Sequence, residues 1–164
     1  MTIRTLKLLV RVLPGFCTTL SGVHAADPDF SPQVWLNPGI YSYHFDRSED
    51  LRENNIGFGA EVVVAPDHAL MAGTFINSND ERTYYGAYQW RPLHWRPLGT
   101  AVSAGIVIGA FDGYPQMRGG GWFLAAMPLL CIEGERIGLN FTIVPSYKDR
   151  LHGAVAVEIK LRVW

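Results

Sequence analysis

The 164-residue chain predicts an all-β fold: an eight-stranded antiparallel up-and-down β-barrel of the outer-membrane type. Three observations carry that prediction. From residue 40 almost to the C-terminus, apolar residues recur with period two in eight segments. No helical pattern stands between these segments, so neighbours should pair antiparallel, and an even number closes most simply into a barrel. The connections alternate between long polar stretches and tight turns, which is the asymmetry of outer-membrane barrels. Seventeen Gly and ten Pro without a repeat suit many short strands joined by turns. The length supports a single domain.

The first 25 residues read as an export signal. Arg4 and Lys7 give a positive start, an apolar stretch runs from Leu8 to about Leu20, and Val23-His24-Ala25 ends it with small residues where a signal peptidase reads. Cys17 follows the bulky Phe16, so it is no lipidation site. Residues 26–37 read as an irregular lead-in with two prolines, and residues 38–164 as the barrel domain. Cleavage after Ala25 would remove three basic residues and no acid, leaving 11 Lys+Arg against 15 Asp+Glu, a net charge near −4. Such a balance offers no basic stripe for nucleic acid. Cys131 would be the remaining cysteine, and one cysteine makes no internal disulfide. Stability must then come from burial and a closed hydrogen-bond ladder.

Each strand has its own signature. In 40–46, Tyr41, Tyr43 and Phe45 alternate with Ser42, His44 and Asp46. In 56–65, Ile56, Phe58, Ala60, Val62 and Val64 oppose Gly57, Gly59, Glu61 and Val63. Strands follow at 69–76 and 83–90. In 100–111, Val102, Ala104, Ile106, Ile108 and Ala110 oppose Ser103, Gly105 and Gly109. The sixth, 122–132, shows no clean parity. Ile137, Leu139, Phe141 and Ile143 oppose Gly138, Asn140 and Thr142 in the seventh. Val155, Val157, Ile159, Leu161 and Val163 oppose Glu158, Lys160 and Arg162 in the eighth. Long polar loops fall at 47–55, 77–82, 112–121 and 146–152, and tight turns at 66–68 and 133–136.

Parity defines two faces without saying which is outside. A soluble, calycin-like lipid-binding barrel would point the aliphatic rows inward; a membrane barrel reverses them. The leader, strands near the roughly 9–11 residues needed to cross, and aromatics near strand ends favour the membrane sense. Glycines and alanines near the loop rim, above Glu158, Lys160 and Arg162, would leave room for an apolar chain over a polar floor.

The order of several features resembles the lipid A palmitoyltransferases of the outer membrane, the PagP type. These are an acidic first loop leading into Ile56-Gly57-Phe58-Gly59, then Met71-Ala72, and Phe75 ahead of a loop Ser. A Trp-Arg-Pro-Leu turn (Trp95 to Leu98), Pro128 in the sixth strand and Val144-Pro145 follow. The resemblance covers about residues 39–164. It implies transfer of a palmitoyl chain from a phospholipid donor to a lipid A acceptor, with a first-strand His and a loop Asp-Ser pair needed for activity. Ser78 falls where the family has its Ser, Asn77 stands in place of the Asp, and His44 lies several positions later than the family's His. By the same resemblance, Pro128 and Pro145 mark openings for sideways lipid entry; by themselves, they only end strands.

Topology brings His44 and Asp46 to the rim that carries Asn77, Ser78 and Asp80. Acyl transfer needs a base and oxyanion donors: His44 suits the base, Ser78 and loop amides the donors or nucleophile, and Asp46 or Asp80 an orienting carboxylate. Equally, His44 and Asp46 could be paired lumen residues and 77–80 a self-satisfied turn. The candidate catalytic set is therefore His44, Ser78, Asn77, Asp46 and Asp80, with Gly57, Gly59, Pro128 and Pro145 as the lipid-binding set. No cofactor or metal is expected, since His44, His68, His94 and His152 are dispersed without ligand spacing. Expected partners are the phospholipid donor, the lipid A acceptor and membrane lipid around a monomer. A non-catalytic structural envelope barrel is the other reading.

Overall fold

The computed structural model describes residues 30–148 and 150–164. The expected leader over 1–25, with Cys17, lies outside them. Eight antiparallel strands form one closed barrel in sequence order: β1 (Gln33–His44), β2 (Asn54–Ala65), β3 (His68–Ile76), β4 (Arg82–Trp95), β5 (Ala101–Phe111), β6 (Phe123–Glu133), β7 (Ile137–Val144) and β8 (Ala154–Arg162). Closure is made by β1 on β8, from Trp35 opposite Arg162 to His44 opposite Ala154.

Two strands depart from the expected bounds, each for a local reason. β1 starts at Gln33 rather than residue 40, inside the stretch read as an irregular lead-in. Its ladder with β2 shifts register between Asn37 and Gly39, and Gly39 has φ +127°. The bulge moves the inward row from Trp35 and Asn37 to Ser42 and His44, which hides the period-two pattern. A Cβ on Gly39 would lie 2.6 Å from the Gly57 amide nitrogen, so only glycine fits. β4 continues past Trp90 to Trp95, with a register shift between Trp90 and Leu93 that accommodates Pro92. The connection from β4 to β5 is thereby short and built around a 3-10 turn at Pro97–Gly99.

Orientation follows the membrane sense. Ile56 and Phe58 are each 61% exposed, and Leu70, Leu93, Leu124, Ile137, Ile143, Ile159 and Leu161 also face out. Glu61 and Lys160 are 0% exposed, inside the barrel. Water would face a continuous aliphatic belt far larger than an ordinary apolar patch, whereas hydrocarbon suits it. Tyr41, Tyr43, Phe45, Tyr84, Trp90, Trp95 and Trp122 are exposed towards the strand ends, where interfacial girdles sit.

The turn-side half of the lumen is filled by a charged plug. Lys160 Nζ donates to Glu61 Oε1 and Glu133 Oε1, both at 2.6 Å. Arg91 donates to Glu133 at 2.9 Å and lies 3.6 Å from Glu61. Asn140 and Gln89 donate to the other Glu61 oxygen at 2.8 and 3.1 Å. Lys160 also sits 4.9 Å over the Trp35 ring. Gly138 makes room for it: a Cβ there would be 2.9 Å from Lys160 Cε and 3.2 Å from the Trp35 ring.

Candidate functional site

Above the plug, under the long loops, lies a cavity of about 120 Å³. Its walls are chiefly Ile40, Phe75, Phe111, Tyr114, Phe123, Ala125, Met127, Val144, Ala154 and Ala156, with Glu158 at the bottom. A smaller space of about 60 Å³ continues down through Phe111, Met127 and Glu158 to Met71, Gln89 and Asn140. Polar amides and Glu158 thus end an apolar shaft.

His44 and Ser78 meet at the top of this shaft. His44 Nε2 and Ser78 Oγ are 3.0 Å apart, a contact between residues 34 positions apart in the chain. Parity puts His44 in the lumen, where it is 4% exposed, because β1 after the bulge turns its even-numbered residues inward. Which partner donates depends on the imidazole tautomer. Nδ1 is buried and has no hydrogen-bond partner among the described residues. Among the described residues, then, no carboxylate orients the ring as in a full triad.

The other expected catalytic residues stand apart from that contact. Asp46 is exposed and accepts the Ser48 backbone N–H at 2.9 Å, which holds its carboxyl below the usual range. Asp80 binds Arg52 Nε at 2.5 Å in left-handed backbone with φ 62°. Asn77 is fully buried and entirely occupied with the loop: Nδ2 donates to Thr83 Oγ1 at 3.0 Å and to the Gly113 carbonyl at 2.8 Å. Its Oδ1 accepts the amides of Asn79 and Glu81 at 2.8 and 3.2 Å. Asn77 thus braces the loop that carries Ser78. The donation to a carbonyl is one an aspartate cannot make, so Asn77→Asp should not strengthen the site. It should cost about 1–3 kcal/mol of stability, read as a lower urea midpoint, and weaken the activity proposed below rather than raise it.

The first loop is tied down separately. Tyr41 donates to Glu53 at 2.9 Å and Arg47 pairs with the same carboxylate. Together they hold the Glu53 carboxyl below its usual range. Tyr114, from the third long loop, packs edge-on against Phe123, and burial pushes its phenol up to about 12.

Of the expected lipid-binding residues, Gly57 and Gly59 lie on the lumen side but away from the cavity. A Cβ on Gly57 would meet Phe75, and one on Gly59 would lie 2.7 Å from Asn37 Nδ2. The open space instead borders β6 and β8. Pro128 faces outward at the top of the β6–β7 ladder, which begins at Leu129 opposite Thr142. Above it, residues 123–128 pair with β5 alone. β7 ends at Val144, one residue before Pro145. The barrel wall is therefore unzipped between β6 and β7 at the level of the cavity, with a proline on each side.

Sequence reading missed the β6 wall of the shaft. Phe123, Ala125, Met127 and Leu129 all lie on the inward row with Cys131. Because this inward row is apolar, like the outward one, no parity showed; that loss was itself the available signal.

No family model matches the chain. A curated relative, described as lipid A acyltransferase PagP of Laribacter hongkongensis (strain HLHK9), is 28% identical over 120 residues, covering 69% of this chain and 55% of the relative. The relationship is of the PagP type, and distant. The chain spans about half the length of the curated relative it matches.

Proposed function

We propose that this barrel is an acyltransferase of the bacterial outer membrane, moving a fatty acyl chain from a phospholipid to a lipid A hydroxyl. The observation that carries the reading is the His44–Ser78 contact of 3.0 Å at the mouth of an apolar shaft. The curated relative's description supports the same activity. The export signal over 1–25 belongs to this proposal.

In the overall reaction, the acceptor oxygen bonds to the ester carbonyl carbon and the donor's C–O bond breaks. In direct transfer the acceptor's proton passes to His44 and then to the departing glycerol oxygen. Through an acyl-Ser78, the serine's own proton takes that path, and the acceptor's proton later returns through His44 to Ser78 Oγ. Ser78 is either acylated in between or donates to the ester oxyanion. A quench without acceptor separates these roles: an acyl group on Ser78 marks it as nucleophile, and its absence marks it as donor. The donor's acyl chain occupies the shaft, entering through the β6–β7 opening beside Pro128.

Mass spectrometry of lipid A from cells with and without the folded barrel tests the function. One added acyl group is the expected result; unchanged lipid A around a folded barrel would favour the structural-barrel reading. The shaft has its own test. Ala156→Phe fills the cavity wall, so transfer of long chains should fall at least about tenfold, as a misplaced reacting ester can lose up to about 10²-fold. A short-chain donor should lose less. Equal loss for both lengths would show that the chain lies elsewhere.

A further inference from the structure

The cavity mouth is electrically lopsided. Among the described residues, the charged or titratable side chains around it are His44, Tyr114, Arg150 and His152, and Glu158 lies far below them. Three ion pairs tie charges on the neighbouring loops: Arg47 with Glu53, Arg52 with Asp80, and His152 with Glu49 at 3.3 Å. Lys148 lies 5.7 Å over the Tyr147 ring. Arg150 is exposed and makes no ion pair with another described residue. Yet its backbone is fixed: Tyr147 N donates to Leu151 O at 2.9 Å, and Arg150 N to Tyr147 O at 3.1 Å. This small hairpin sits in the β7–β8 connection, directly after Pro145 and thus beside the wall opening.

We propose that Arg150 is a phosphate-binding group that holds a lipid headgroup at the cavity mouth while an acyl chain lies in the shaft. A guanidinium offers a planar pair of donors that matches two phosphate oxygens, and charge-assisted pairs of this kind are the stronger hydrogen bonds. Held there, the phosphate stays at the rim and a glycerol ester can hang toward His44 and Ser78. Asp46 and Asp50, in the first loop, would repel the same phosphate. The headgroup therefore approaches over the β7–β8 connection, next to the opening between β6 and β7. The proposal rests on the acyl-transfer reading for the ligand's being a lipid, but not for the binding itself.

The test titrates the full-length folded barrel, held in dodecyl maltoside micelles, with dodecylphosphocholine and separately with dodecyl phosphate, following tryptophan fluorescence. Arg150→Ala should weaken binding of at least one phosphate probe by about tenfold, the scale of one charge-assisted hydrogen bond. Arg150→Lys should recover part of it. Tighter binding of the diester assigns the site to the phospholipid donor, whose KM should then rise in Arg150→Ala with kcat held. Tighter binding of the monoester assigns it to a lipid A phosphate, with the acceptor's KM rising instead. Affinity for both probes unchanged within about twofold, in a range set by the same scale, would overturn the proposal. Arg150-dependent binding in a barrel that leaves lipid A unmodified would keep the phosphate site and remove only the acyltransferase reading.

Discussion

Alanine at His44, or at Ser78, is expected to lower acyl transfer by about 10²–10⁴-fold, the usual worth of a positioned acid–base group. The two variants should each cost nearly as much as both together, because groups that act as one unit are not additive. Each deletes one side of the same 3.0 Å contact. Neither should unfold the barrel, since His44 is at the last position of β1 and Ser78 lies in a loop. Heat-modifiable gel mobility of the purified barrel checks folding, and lipid A mass spectrometry checks transfer. Transfer persisting in the double variant of a folded barrel would show that other groups carry the reaction.

The second large effect falls on stability. Lys160→Met should destabilise the barrel by about 3–5 kcal/mol, the range for removing one partner of a buried ion pair. Lys160 touches Glu61 and Glu133 at once, and it is fully buried. Without it, Glu61 keeps two amide donors and a more distant Arg91 at 3.6 Å, so one buried carboxylate is left poorly matched. Removing that carboxylate as well, in Lys160→Met with Glu61→Gln, should restore part of the loss, because breaking a pair costs more than deleting it whole. Urea midpoints of the barrel in lipid vesicles give the comparison. A loss below about 1 kcal/mol, the scale of exposed pairs, would mean that the plug is wet and loosely held. Because the plug lies between the shaft and the turn-side mouth, the same variant should also admit longer acyl chains or lose discrimination among them.

The eight strands and their order were legible because alternation is a local property. Wherever one face is polar and the other apolar, as in β2, β7 and β8, the rows can be read directly from the residues. Legibility failed where the rule is broken for a reason. At Pro38-Gly39 a bulge exchanges the faces, and β1 lost its first half. At Pro92 a second irregularity let β4 run on unseen. In β6 both rows are apolar, since one meets hydrocarbon outside and the other lines the shaft. The rim was legible to the extent that topology put His44 and Ser78 on one side. Asn77, Asp46 and Asp80 share that rim, yet Asp46 bonds within its own loop, Asp80 pairs with Arg52 of the first loop, and Asn77 ties its loop to Thr83 and Gly113.

From its residues alone, the chain determined that it would alternate, close on itself and keep a glycine- and charge-bearing row distinct from an aliphatic one. Only the tertiary structure decided that Glu61, Lys160, Arg91 and Glu133 converge in the lumen, that Ser78 rather than Asp46 meets His44, and that the wall parts above Pro128. The physical reason is one of range. The side-chain period is set by the backbone of each strand, but contacts across a lumen depend on how strands far apart in sequence are registered when the barrel closes.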